Sequence, residues 1–132
     1  MTLYYSNGTR HAQNEGLIAF AGTGCKFNLY NGVQPANANT AVTSQVLLAS
    51  LTIPSTFGSD VNGTLTLGSV TSAVASNAGT ASWFRIFKSD GTTVVLDGSV
   101  GIAGADLNLN SVTIAALQTV AITSGTIIRN NQ

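Results

Sequence analysis

The run Trp83-Phe84-Arg85-Ile86-Phe87, the turn Ser89-Asp90-Gly91 and the run Thr93-Val94-Val95-Leu96-Asp97 constrain this chain more than any other feature. Two aromatic and β-branched runs around an Asp-Gly turn predict a β-hairpin over about Ala81 to Ile102. Two registers compete. A two-residue Asp90-Gly91 loop sets Arg85 opposite Leu96 and Phe84 opposite Asp97, mixing charge with apolar groups on both faces. A three-residue loop, with Gly91 in the left-handed conformation, pairs Lys88 with Thr92. That register gathers Phe84, Ile86, Val94 and Leu96 on one face. Trp83, Arg85, Phe87, Thr93, Val95 and Asp97 take the other, with Arg85 diagonal to Asp97. A one-residue slip moves every side chain to the opposite face, so the pattern selects the three-residue loop.

Both faces of this hairpin carry large apolar groups, and a strand pair apolar on both sides is buried on both sides. Either the chain covers the second face itself, with a helix near Leu17 or a loop, or another subunit covers part of it. Under the second option Trp83, Arg85 and Phe87 are the contact residues, because Trp and Arg are the usual anchors of protein interfaces.

The alternation continues on either side. In Lys26–Tyr30, Phe27 and Leu29 share one face and Lys26, Asn28 and Tyr30 the other. Asn31-Gly32 is a turn, and residues 34–43 are a loop. Gln45 to Ile53 reads as a strand with Leu47, Ala49, Leu51 and Ile53 on one face, ended by Pro54. Asn62-Gly63 is a second turn, ahead of Leu65 and Leu67. Leu107 and Leu109 alternate with Asp106, Asn108 and Asn110. Residues 112–115 and 119–128 complete the strands, with Val120, Ile122 and then Ile127 or Ile128 inward. The one helix expected runs from about Thr9, as its cap, to Ala21, with Gly22 stopping it. The expectation is an all-β domain over residues 24–132, a two-sheet β-sandwich or jelly roll, after an N-terminal arm and short helix over residues 1–23.

Composition then limits function. Only 8% of the 132 residues are charged, the net charge is zero, and 44% are hydrophobic. Average globular chains carry about 25% charged residues. A neutral, charge-poor surface favours association and leaves little charge to desolvate at an interface. Five Lys and Arg spread from Arg10 to Arg129 form no basic stripe, so nucleic acid is not an expected partner. No apolar run is long enough for a membrane span. Met1 to Arg10 has no basic start followed by an apolar run, so synthesis in a cytoplasm is expected. Tyr4 and Tyr5, in the polar opening segment, are further candidate contact residues, since tyrosine is favoured at interfaces.

Candidates for chemistry are few. His11 is the single histidine, and Glu15 lies within its reach on the helix. A general base needs a nucleophile or substrate beside it, and the sequence sets none there. Cys25 opens a strand, where a free cysteine behaves as a small hydrophobe. One Cys and one His are too few for a zinc site. Asp106-x-Asn108-x-Asn110 starts like a calcium loop, but Ser111 stands at the required glycine and Leu117 at the bidentate glutamate. The expectation is a non-enzyme with no metal and no cofactor.

Several blocks resemble small proteins of tailed bacteriophages. They are Phe27-Asn28-Leu29-Tyr30-Asn31-Gly32-Val33-Gln34-Pro35, Leu47-Leu48-Ala49, Gly79-Thr80-Ala81-Ser82-Trp83-Phe84-Arg85, Lys88-Ser89-Asp90-Gly91-Thr92, Asp97-Gly98-Ser99-Val100, and Gly104-Ala105-Asp106-Leu107-Asn108-Leu109-Asn110. The resemblance covers about Lys26 to Thr123, and the segment before Gly24 departs from it. It implies a virion structural protein of the capsid decoration or cement type. Such a protein is a β-sandwich or jelly roll, often a homotrimer, bound to the major capsid protein on the outside of the shell. The alternative is a tail or fibre component binding a host surface glycan, with Trp83 or Tyr30 as the aromatic platform.

Overall fold

The computed structural model describes residues 3–128. Met1, Thr2 and residues 129–132 lie outside the described residues, and with them the start of the expected arm. One helix, α1 (Asn7–Ala21), is followed by β1 (Lys26–Tyr30), β2 (Leu47–Thr52), β3 (Gly58–Val61), β4 (Thr64–Leu67), β5 (Ala73–Val74) and β6 (Gly79–Thr80). Then come β7 (Trp83–Phe87), β8 (Val94–Gly101), β9 (Leu107–Leu109), β10 (Thr113–Ile114), β11 (Thr119–Val120) and β12 (Ile122–Ile128). The fold is mostly β with one short helix and one large curled sheet, compatible with a β-sandwich. Eight strands form that sheet in the order β2-β1-β7-β8-β9-β12-β4-β3, and β10 with β6 and β11 with β5 make two small ladders. Its pairs are antiparallel except β8 with β9.

Helix α1 starts one turn earlier than Thr9. Ser6 is the cap, its hydroxyl accepting from the Thr9 N–H at 3.1 Å, and Gly22 closes the other end with φ 71°. A serine can satisfy an orphan N–H from this position as well as threonine can, so the sequence alone did not separate them. Only Asn14 and Ala21 are buried on this helix, and Leu17 and Ile18 pack partly on the core. A helix so exposed depends on its cap. Ser6→Ala is expected to cost about 1 kcal/mol, read as a lower urea midpoint followed by circular dichroism.

The core face follows the predicted alternation. Phe27, Leu29, Leu51, Ile53, Leu65, Phe84, Ile86, Leu107 and Leu109 are all buried. Strand β2 departs in one respect. A bulge lets Leu29 pair with Ala49 and Tyr30 with Leu47, so Leu48 is the extra residue and is fully buried, while Leu47 is half-buried. A bulge shifts the two-residue period, which period-counting does not foresee. The inward choice between Ile127 and Ile128 falls outside the described side chains.

The hairpin adopts neither predicted register. The Lys88 N–H bonds the Thr93 carbonyl at 2.9 Å, so the loop is the four residues 89–92. Gly91 does take the left-handed conformation, with φ 74°. Asp90 holds the loop, accepting from the Thr92 and Thr93 N–H groups and the Thr93 hydroxyl, which brings its carboxyl down to about 2. Phe87 pairs with Val94, Val95 is bulged, and Ile86 then pairs with Leu96. Arg85 therefore lies directly opposite Asp97 rather than diagonal to it. Val95 packs on the core beside Leu96, against the predicted division of faces. Phe84 lies opposite Gly98, and its ring takes the space of the missing side chain. A Cβ there would stand 2.5 Å from the Phe84 ring.

Open strand edges invite pairing with other chains, and both outer edges here are covered. The segment after Val70 bonds along β2, with Thr71 N–H to Thr52 O and Ser76 N–H to Leu48 O, both 2.8 Å. Helix α1 packs along β3.

Candidate assembly surface

The second face of the central strands is built in rows. Across β2, β1, β7 and β8 the register aligns Ser50, Asn28, Arg85 and Asp97, and beside them Tyr30, Trp83 and Ser99. Ser50 donates to Asn28 at 2.7 Å. Arg85 grips Asp97 with two bonds, Nε to Oδ1 at 2.6 Å and Nη2 to Oδ2 at 2.8 Å. The guanidinium also lies 5.5 Å from the Trp83 ring centre. Trp83 stacks on Tyr30 with centroids 4.6 Å apart and donates its indole N–H to the Asn31 carbonyl at 3.1 Å.

Asn31 belongs to the segment between β1 and β2, as does Asn37, whose carbonyl accepts from Arg85. That segment is anchored on the second face. Trp83 is 1% exposed and Arg85 3% exposed in the single chain. The chain therefore covers these two residues itself, with a loop rather than with helix α1, and neither is open for a partner to touch. Phe87 is half-buried, at the row of Lys26 and Val94. The aromatic platform suggested for a glycan is absent at both nominated positions, because Trp83 and Tyr30 are buried against each other.

The opening segment is the reverse case. Leu3 is 67% and Tyr4 74% exposed, and Tyr5 is exposed beside them. They stand directly before the capped start of α1, which holds their exit direction. The structure thus brings Trp83 and Arg85 together inside the fold and leaves Tyr4 and Tyr5 outside it.

His11 pairs with Asp60 on β3, not with Glu15. Its Nδ1 donates to Asp60 Oδ2 at 2.6 Å, the Asn14 amide donates to Oδ1, and the Gly63 N–H reaches Oδ2 at 3.2 Å. Asn14 also bonds the Gly63 carbonyl at 3.0 Å. The group ties the helix to the β3–β4 turn. Nothing local in the sequence linked His11 or Asn14 to Asp60, which lies 49 and 46 residues away. A surface hollow of about 350 Å³ beside them is lined by Asn7, Gly8, His11, Asp60, Val61 and Asn62. That lining carries no hydroxyl or thiol for the His–Asp pair to activate.

Burial pushes the Asp60 carboxyl up, but the bonds from Asn14, His11 and Gly63 outweigh it and hold the group below its ordinary value. A lowered folded value means the stabilisation is complete above the unfolded value near 3.9 and is lost as pH falls through the folded one. Below about pH 4 the wild-type unfolding temperature should therefore drop more steeply than that of Asp60→Asn, which has no such carboxylate to protonate. Parallel curves in a calorimeter would contradict this.

Cys25 is fully buried, its thiol donating to the Ala21 carbonyl at 3.2 Å, and burial raises its thiol against the opposing pull of Lys88. Asp106, Asn108 and Asn110 spend side-chain oxygens on the N–H groups of Ser99, Ala105 and Ala121. Among the described residues no group of three or more His, Cys, Asp or Glu gathers, and no helix is long and apolar enough to cross a membrane.

These features define a class: a small, mostly β protein with a self-covered second face and an exposed apolar segment before a capped helix. No protein-family model matches the chain, and no curated protein or solved structure matches it.

Proposed function

We propose that this chain is a phage virion structural protein that decorates and cements the outside of a capsid shell. The observation that carries the reading is the exposed row Leu3, Tyr4, Tyr5 ahead of a fixed helix. Large apolar side chains held in water gain about 25 cal/mol per Å² when a partner covers them. The charge-poor composition and the likeness of residues 26–123 to tailed-phage proteins support the same reading. In this proposal the sandwich has the jelly-roll form, the copies associate as homotrimers, and the partner is the major capsid protein. The mechanism is bridging across capsid junctions. A protein that binds the assembled shell and not free subunits stabilises the shell by mass action. The test is to heat purified particles with and without the protein. Particles carrying it should rupture at a higher temperature, and equal rupture temperatures overturn the cementing role.

A further inference from the structure

An asparagine followed by glycine can lose its side-chain amide, because a glycine nitrogen has no side chain beside it to block close approach. The chain holds three such pairs, Asn7-Gly8, Asn31-Gly32 and Asn62-Gly63. The chemistry is ring closure, in which the glycine nitrogen attacks the asparagine Cγ. It needs the Cβ–Cα and C–N bonds turned toward eclipse, a nitrogen whose proton no acceptor holds, and a donor for the charge that gathers on Oδ1.

The fold treats the three pairs differently. Asn62 lies in the left-handed region with φ 53°. There ψ is about +47°, which points the next nitrogen away from the side chain. The Gly63 N–H is also engaged, donating to the buried Asp60 at 3.2 Å. Asn31 is held at three atoms. Its Oδ1 accepts from the Val46 N–H at 2.6 Å, its own N–H bonds the Val46 carbonyl at 3.2 Å, and its carbonyl accepts from Trp83. Turning Asn31 toward Gly32 breaks these bonds.

Asn7 meets all three conditions. It is the exposed first residue of α1. A helical ψ of about −42° brings the next nitrogen part of the way round to the side chain. Ser6 takes the N–H groups of Thr9 and Arg10, and among the described residues no acceptor meets that of Gly8. Asn7 Oδ1 accepts from Arg10 Nη2. This guanidinium is seated over the β3–β4 turn, where a Cβ on Gly63 would stand 3.1 Å from its central carbon. His11 lines the same hollow as Asn7 and Gly8. With Nδ1 given to Asp60, its Nε2 is the basic atom of the ring.

We infer that Asn7 is a self-modification site, deamidated through attack by the Gly8 nitrogen with Arg10 and His11 assisting. The Gly8 N–H proton passes to His11 Nε2, directly or through one water. The nitrogen bonds Asn7 Cγ while Arg10 stabilises the oxyanion on Oδ1. The Cγ–Nδ2 bond then breaks, and the amide leaves as ammonia with the proton returned from His11. Water opens the five-membered imide to aspartate or isoaspartate. Aspartate puts a negative charge beside Arg10 on the first turn of α1, where the helix dipole favours it. Isoaspartate adds a carbon to the main chain between Ser6 and Gly8 and so disturbs the cap ahead of which Leu3, Tyr4 and Tyr5 stand. Nothing in this step depends on a capsid partner.

The test is to store the full chain at neutral pH and follow the one-dalton mass gain at each asparagine by peptide mass spectrometry. In the folded chain Asn7 should convert at least about tenfold faster than Asn31 or Asn62. In guanidinium chloride the three rates should converge, and Asn7 should slow. Arg10→Met and His11→Ala should each slow Asn7 by roughly tenfold in the folded chain, with Trp83 emission unchanged as the check on folding. Faster conversion at Asn31 or Asn62 in the folded chain overturns the inference. So does a rate at Asn7 no higher in the folded chain than in the unfolded one, or one that neither variant lowers.

Discussion

Asp97→Ala will lower the stability of this fold by about 3–5 kcal/mol, the usual cost of removing one partner from a buried ion pair. The side chains of Arg85 and Asp97 are 3% and 4% exposed. Deleting the carboxylate strands a guanidinium that cannot shed its charge at any working pH. Water cannot reach it without lifting the segment that Asn31 and Asn37 anchor. A urea titration followed by Trp83 emission reads the change directly, since the indole lies beside the guanidinium. The paired variant Arg85→Met, Asp97→Leu should recover most of the loss, because an apolar pair of similar volume leaves no orphan charge. If Asp97→Ala costs under about 1 kcal/mol, the pair is not a buried clamp.

Phe27→Ala is expected to cost about 3–5 kcal/mol on the opposite face. Phe27 is fully buried and sits between two rings, Phe57 at 6.3 Å and Phe84 at 6.0 Å. The cavity left there cannot close easily. Phe84 is already pressed against Gly98, so it has little freedom to swing into the gap. Phe57 lies in the stretch joining β2 to β3, and its carbonyl accepts from the Gly68 N–H at 2.9 Å, fixing the chain just after β4. Loss of the Phe27 ring should therefore raise amide exchange at Gly68 as well as lower the urea midpoint. A global loss with Gly68 still protected would show that the Phe27 ring does not hold the turn after β4.

The two predictions address the two faces of one layer, and the sequence read these faces unequally. Phe27, Leu29, Phe84 and Ile86 were legible because alternation is strict and the core side contains nothing polar. The positions of the bulges at Leu48 and Val95 were not. A bulge costs one residue of period and appears only when strands are laid side by side. The Arg85–Asp97 pair was half legible. Both residues were placed on the second face, but the four-residue loop and the Val95 bulge set them directly opposite. The helix was legible by its apolar spacing, while Ser6 as cap and Asp60 as the anchor of His11 and Asn14 were not.

The sequence by itself determined that β7 and β8 form a hairpin with apolar groups on both sides, and that both sides must therefore be covered. It also determined that the surface would be poor in charge. What it left open was the source of the cover. Only the tertiary structure decided that the chain's own segment between β1 and β2 closes over Trp83 and Arg85, while Leu3, Tyr4 and Tyr5 stay outside. The reason is physical. Hydrophobic periodicity is a property of neighbours along the chain and reports that a face is buried. The occupant of that face comes from contacts such as Arg85 with Asn37, 48 residues apart, which no local pattern encodes.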